Sequence, residues 1–220
     1  MKKGFIPLNF QFQSEKEVEK LSGDIYNELN LRRSVREFSD RPVSKKTIEN
    51  LVAAASTAPS GAHKQPWFFC AISSLELKAK IKEAAEKEEY ENYHGRMSQA
   101  WLKDLQPFET NEHKPFLTIA PWLVVLFRRS YDLVDGNKKQ LYYTQESVGI
   151  AAGMFIQAVH RAGLACLTHT PSPMNFLQKV LNRPANEKPY LLMPVGYPAE
   201  DCEVPDIERK PLDEILKFYE

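Results

Sequence analysis

Cysteine is scarce in this sequence, and the three present, Cys70, Cys166 and Cys202, are odd in number and far apart. None has metal-type spacing, which argues against both a disulfide framework and a zinc site. Net charge is missing too, since 29 lysines and arginines balance 29 aspartates and glutamates. A neutral chain lacks the basic surplus that binds nucleic acid or an anionic membrane surface, so a small-molecule ligand is expected instead. No apolar run approaches the length of a membrane span. Met1-Lys2-Lys3-Gly4 begins with charge, but Pro7 interrupts Phe5-Ile6-Pro7-Leu8 and leaves no signal-peptide core. The expected location is a reducing cytoplasm.

Several chemical signatures are absent as well. No Gly-x-Gly-x-x-Gly follows a strand and no Gly-x-x-x-x-Gly-Lys-Ser/Thr occurs, so nothing supports a Rossmann or P-loop nucleotide site. Without a Gly-x-Ser-x-Gly elbow or a His-Glu-x-x-His helix, the commonest hydrolase signatures fall away. The five histidines, at 63, 94, 113, 160 and 169, are scattered and form no metal set.

What is present reads as one domain, residues 14–220, preceded by an arm over 1–13 that shows no helical period. Val18, Leu21, Ile25 and Leu29 recur at helical spacing, with Ser14 and Glu17 forming a capping box. Ser44 caps a second helix carrying Ile48, Leu51, Val52 and Ala55. Trp67 to Ile72 reads as a buried strand, and Ser74 to about Lys103 as a charged helix. Pro121 to Phe127 is a continuous apolar run suited to a central strand. Tyr131 to Lys139 reads as a surface loop, Tyr142 to Ala162 as a very apolar helix stopped by Gly163, and Leu164 to Leu167 as a short strand. Asn175 to Leu181 is helical, Tyr190 to Tyr197 is another strand, and a short helix begins near Leu212. Alternating helices and strands imply a layered sheet with helices on its faces.

One cluster stands out. Arg32-Arg33-Ser34-Val35-Arg36 places three guanidinium forks and a hydroxyl within five residues, a donor set suited to a phosphate. Alone it reads equally well as a solvated charged face. Its neighbours in sequence decide the matter. Ala58-Pro59-Ser60-Gly61-Ala62-His63 with Pro66-Trp67 follows it, then Glu89-x-x-Asn92-Tyr93-x-x-Arg96-Met97, Thr168-x-Thr170-Pro171, Val204-Pro205-Asp206 and Arg209-Lys210-Pro211. In this order the motifs resemble the nitroreductase superfamily of flavoproteins, and within it the iodotyrosine deiodinases, over about residues 21–212.

The resemblance implies an α+β, three-layer α/β/α fold with a mixed, mostly antiparallel central sheet and extended termini exchanged in a homodimer. It implies FMN, with Arg32, Arg33, Ser34, Arg36 and Arg209 at its phosphate and ribityl chain, and Pro59, Ser60, Thr168, His169 and Thr170 at or near the ring. His169 departs from the threonine common at that position in animal forms. The catalytic groups would be the Thr170 hydroxyl, facing flavin N5 and favouring one-electron steps, and the Ala62 amide, meeting the phenolate of the substrate. Glu89, Tyr93 and Lys114 would hold the zwitterion of a halotyrosine, beneath a lid over about 88–115, with a C-terminal extension over about 203–220. The implied reaction is reductive dehalogenation of 3-iodotyrosine and of diiodo-, bromo- and chlorotyrosine to tyrosine and halide. Electrons would come from NAD(P)H directly or through a reductase. Animal forms carry a membrane anchor, and the resemblance here implies a soluble, bacterial-type form. A general nitro- or quinone reductase on the same scaffold is the alternative, and Glu89, Tyr93 and Lys114 argue against it because such acceptors carry no zwitterion. A non-catalytic flavin- or halotyrosine-binding protein would use the same contacts and differ only in turnover.

Overall fold

Ser14 opens the first helix as its spacing predicts. Its hydroxyl accepts from the Glu17 amide at 3.3 Å, and the Glu17 carboxylate takes the Ser14 amide at 3.0 Å, so two orphan donors of the helix start are satisfied reciprocally. The computed structural model describes residues 4–220; Met1 to Lys3, the start of the expected arm, lie outside the described residues. Contacts divide the chain into two units, meeting between Arg32 and Arg33. In the first, helix α1 (Glu15–Asn30) buries none of its residues. Its predicted apolar stripe is open, with Val18, Leu21 and Ile25 about half exposed.

The second unit runs α2 (Lys45–Ala55), β1 (Trp67–Ile72), α3 (Leu75–Glu91), α4 (Gln99–Leu105), α5 (Phe116–Ile119), β2 (Trp122–Arg129), β3 (Tyr131–Val134), β4 (Asn137–Gln140), α6 (Thr144–Arg161), β5 (Ala165–Cys166), α7 (Asn175–Val180) and β6 (Glu187–Gly196). Four strands form one sheet in the order β1-β2-β6-β5, each pair antiparallel. A single parallel bridge, Ser34 to Cys166, borders β5.

The central strand shows why this sheet has helices on both sides. Leu123 to Phe127 are all fully buried, and successive side chains of a strand point to opposite faces. Val124 and Leu126 pack with Ile48, Leu51, Val148 and Phe155 of α2 and α6. Leu123, Val125 and Phe127 pack with Ile81, Leu117 and Leu177 of α3, α5 and α7. Each such side chain stabilises the fold by roughly 1.5–3 kcal/mol when fully buried. The expected α/β/α layering and mostly antiparallel sheet follow.

Three expectations change. The expected loop over Tyr131–Lys139 is a two-stranded ribbon, β3 paired with β4, turned by Asp135 and Gly136 with φ of 52° and 77°. Asp-Gly tolerates positive φ at both turn positions, as tight hairpins require. The expected helix from Ser74 to Lys103 breaks after Glu91 into a π-helical segment, Asn92–Arg96, before α4 begins. Near Leu212 there is only a 3-10 turn, Leu212–Glu214. Among the described residues no helix is long and apolar enough to cross a membrane.

Candidate active site

The π-helical segment is where the site begins. Asn92 is buried, and its side-chain amide donates to the Ser172 carbonyl at 2.9 Å. The widened turn follows directly on the helix that carries Glu89 and itself carries Tyr93. Single π turns within helices recur at functional sites, because the extra residue re-aims the side chains that follow.

The segment before α5 completes the cluster. Asn111 closes a turn by accepting from the His113 amide at 2.9 Å, and the Lys114 amide donates to the Glu86 carboxylate at 2.7 Å. The Lys114 side chain thereby enters the interior. Its ammonium lies 3.6 Å from the Glu89 carboxylate, donates to the Thr110 hydroxyl at 3.1 Å and to the Asn111 carbonyl, and stands 5.3 Å from the centre of the Tyr93 ring. Glu89 is 6% exposed and Lys114 3%.

Burial works against both charges. It raises the Glu89 pKa and lowers that of Lys114, and the attraction between them offsets only part of the effect. A buried ion pair of this kind gains little stability over an apolar pair, whereas removing one partner strands an uncompensated charge. Its retention makes sense as recognition chemistry. Burial also raises the Tyr93 pKa, with a hydrogen bond to Thr110 pulling the other way.

Beside this cluster, the half-buried Arg36 guanidinium lies 5.5 Å over the Phe108 ring. Ser34, Arg36, Phe108, Val204 and Pro205 border a cavity of about 410 Å³. Arg33 donates to the Pro205 carbonyl, which ties the basic cluster to the segment leading to Arg209. Arg32 ends the first unit. Ser34 and Arg36 thus border this cavity, with Arg33 held at its Pro205 rim, and Arg36 is near enough to Tyr93 and Lys114 to act on both electrostatically.

Thr168 and Thr170 are exposed, while His169 between them is buried. The backbone explains this, since His169 exchanges two hydrogen bonds with Leu192, at 2.9 and 3.1 Å. An extended, paired residue sends its side chain to the face opposite its neighbours. The imidazole meets Phe116 edge-on at 5.4 Å, and among the described residues its Nε2 has no hydrogen-bond partner. A cofactor lying against the threonines would meet only the backbone of His169. Desolvation, with Lys114 and Arg36 nearby, lowers the His169 pKa to about 3.

The Pro59–His63 turn sits elsewhere. Ser60 organises it, accepting from the His63 amide at its carbonyl, 3.0 Å, and from the Gln65 amide at its hydroxyl, 2.9 Å. Ala62, with φ 48°, is exposed. Gly61 packs so closely on the start of α6 that a Cβ there would lie 2.9 Å from the Tyr142 carbonyl oxygen. This turn feeds the β1 edge of the sheet; the threonines lie at the β5 edge. Three inter-strand spacings, about 14 Å, separate the two edges.

Sequence reasoning missed Thr110, which sits between Tyr93 and Lys114, and Asn92 and Glu86, which anchor the segments bearing them. A turn-forming Thr-Asn pair was the one available signal for Thr110.

Comparison with known proteins identifies the family. A model of the nitroreductase family matches residues 29–197. The iodotyrosine deiodinase of Haliscomenobacter hydrossis is 57% identical over 220 residues, covering 99% of both chains. The chain belongs to the nitroreductase family, among its iodotyrosine deiodinases. Iodotyrosine deiodinase 1 of Homo sapiens is 42% identical over 213 residues, covering 96% of this chain and 74% of the human one. A crystal structure of oxidised iodotyrosine deiodinase bound to FMN and 3-iodo-L-tyrosine superposes with a TM-score of 0.75 at 26% identity, covering 89% of this chain and 99% of that one. The residues here fit the family's FMN. Arg36 and the Ser34 hydroxyl border an open cavity whose rim also carries Glu37, Glu109 and Glu203, Arg33 is held on Pro205 beside it, and two exposed threonines lie at a sheet edge.

His169 generates a prediction independent of any ligand. Its folded pKa, about 3, lies below the unfolded value near 6.5. The unfolded chain therefore binds the extra proton first, and stability falls as pH drops from about 6.5 toward 3. By pH 5 this one group should cost about 2 kcal/mol. Denaturant titrations at pH 7 and pH 5 should show the loss, and His169→Gln should flatten it.

Proposed function

We propose that this chain removes the halogen from halotyrosines, 3-iodotyrosine foremost, by reduction, giving tyrosine and halide. The observation that carries this reading is the buried Glu89–Lys114 pair with Tyr93 beside it. A tyrosine-like amino acid presents an ammonium and a carboxylate one carbon apart. Glu89 takes the ammonium; Lys114 and Tyr93 take the carboxylate. Each buried charge then exchanges its partner for one on the ligand. Nitroaromatics and quinones offer no charge to either group, so a general reductase would have no use for the pair.

Bound FMN supplies the electrons for breaking the carbon–halogen bond. Arg33, Ser34 and Arg36, with Arg32 and Arg209, would hold its phosphate and ribityl chain, and Pro59 and Ser60 would lie by the ring. The Thr170 hydroxyl, with Thr168 next to it, would donate to the ring. The Ala62 amide, in its exposed left-handed turn, receives the phenolate oxygen of the substrate. Residues 88–115 form the cover, because Glu89, Tyr93 and Lys114 all lie within them and the ligand bridges their charges. Closure excludes water from the reacting ring.

The working unit in this reading is a homodimer. Residues at opposite sheet edges of one chain, Ala62 and Thr170, serve the same ring only if a second copy contributes one of them. The open apolar stripe of α1 and the exposed Ile215, Leu216, Phe218 and Tyr219 of the tail offer surface for that copy. The protein works in the cytoplasm, with NAD(P)H, directly or through a reductase, restoring the electrons.

Dithionite-reduced, FMN-loaded protein should be reoxidised anaerobically by 3-iodotyrosine, with release of tyrosine and iodide. Reoxidation by nitroaromatics with no response to iodotyrosine would instead indicate a general reductase. Lys114→Ala should raise KM for iodotyrosine at least tenfold, since truncating one partner of a buried charged contact typically costs about 2–5 kcal/mol. Light scattering should give twice the chain mass; a monomer that turns over would refute the shared site.

A further inference from the structure

The short piece of chain that begins with Lys114 is gripped at its far end by a second buried lysine. The Lys114 and Pro115 carbonyls accept from the Leu117 and Thr118 amides at 3.1 and 3.0 Å, and the Phe116 carbonyl from the Ala120 amide at 3.1 Å. Residues 114–120 are therefore one hydrogen-bonded unit. A helix this short leaves its last carbonyls without partners of its own. Lys78 supplies them: it is 3% exposed, and its ammonium donates to the Thr118 carbonyl at 3.0 Å and to the Ala120 carbonyl at 2.8 Å. An ammonium only donates and a carbonyl only accepts, so the direction of both bonds is fixed. Burial lowers the Lys78 pKa.

Lys78 and Glu89 belong to one buried face of α3, with Ile81 and Ala85 between them. They stand about three helical turns apart. Residues 114–120 run antiparallel along this face, with Lys114 at Glu86 and Glu89 and with Thr118 and Ala120 at Lys78. Between the two ends, Phe116 and Leu117 share an apolar cluster with Ile81 and Ala85. Apolar burial holds two elements together but has no direction, so it does not fix how far one slides along the other. Hydrogen bonds do. We propose that Lys78 is a positioning residue for substrate binding, whose ammonium sets where residues 114–120 stand along α3 and thereby where the Lys114 ammonium meets Glu89 and the α-carboxylate of the ligand. Glu86 holds the near end of the unit through the Lys114 amide, and Lys78 holds the far end. Lys78 touches no ligand and acts through Lys114.

This rests on the halotyrosine reading above, and a double-mutant cycle separates the two. Flavin-fluorescence titrations compare the FMN-loaded wild type, Lys78→Met, Lys114→Ala and the double variant. Lys78→Met, which keeps an unbranched side chain of nearly the same length and loses the donors, should weaken 3-iodotyrosine about tenfold. Binding of 2-iodophenol, which offers Lys114 no carboxylate, should stay within about twofold. In the Lys114→Ala background the same substitution should cost iodotyrosine no more than about twofold, because a residue that acts through another has no separate effect once the other is gone. If Lys78→Met does not fold, Lys78→Gln, which retains an amide donor, takes its place in the cycle with an expected loss of about fivefold. Equal losses in the two Lys114 backgrounds, or equal losses for the two ligands, would overturn the proposal, since either would mean that Lys78 merely stabilises the fold. So would an unchanged affinity for iodotyrosine. A wild type that binds no iodotyrosine would overturn the halotyrosine reading, and this one with it.

Discussion

Two opposite charges, Glu89 and Lys114, lie 3.6 Å apart with almost no contact with water, and the surrounding structure is arranged to keep them there. Desolvation opposes both ionised states, so neither would persist alone. Their geometry depends on the π-helical widening after α3, on Asn92 tied to Ser172, and on Glu86 holding the Lys114 backbone. An apolar pair of similar volume would serve folding as well. What it could not do is exchange partners with a zwitterion, the role proposed for this pair.

The sheet determines which groups can meet the pair. Strand alternation sends Thr168 and Thr170 outward and His169 inward, so one short extended stretch presents two hydroxyls on one side and keeps a neutral imidazole beside Lys114 and Arg36 on the other. A permanently cationic side chain in the place of His169 would add repulsion to two existing cations. A small polar one would leave Phe116 without its edge-on neighbour. The Pro59–His63 turn, braced by Ser60 and pressed against α6 through Gly61, lies at the far edge of the same sheet. The two groups thus lie at opposite edges of one sheet.

Much of this was legible in the sequence because it is written in local chemistry. Ser14 and Ser44 cap helices where their spacing indicates. The apolar run from Leu123 to Phe127 is central because both faces of it must be covered. Glu89, Tyr93 and Lys114 come together as the family resemblance implied. The misses share a cause. The ribbon at 131–140 lacks apolar alternation, since it buries nothing and β4 is exposed throughout, so only its Asp-Gly turn betrays it. The break after Glu91 arises from a buried tertiary contact of Asn92, which no helical periodicity encodes. The inward turn of His169 and the place of Thr110 depend on hydrogen bonds to residues distant in sequence or newly adjacent across a loop, and those exist only once the chain has folded.

The account stands on the buried pair reading both charges of its ligand. A direct measurement is flavin-fluorescence titration of the FMN-loaded protein with four ligands sharing one ring: 3-iodotyrosine, the analogue lacking the amine, the analogue lacking the carboxylate, and 2-iodophenol. The account predicts that each deletion weakens binding by at least about tenfold, a charged contact being worth roughly 1.5–3 kcal/mol, and that iodophenol binds weakest. Equal affinity for iodophenol and iodotyrosine would show that the pair reads neither charge, and would contradict it.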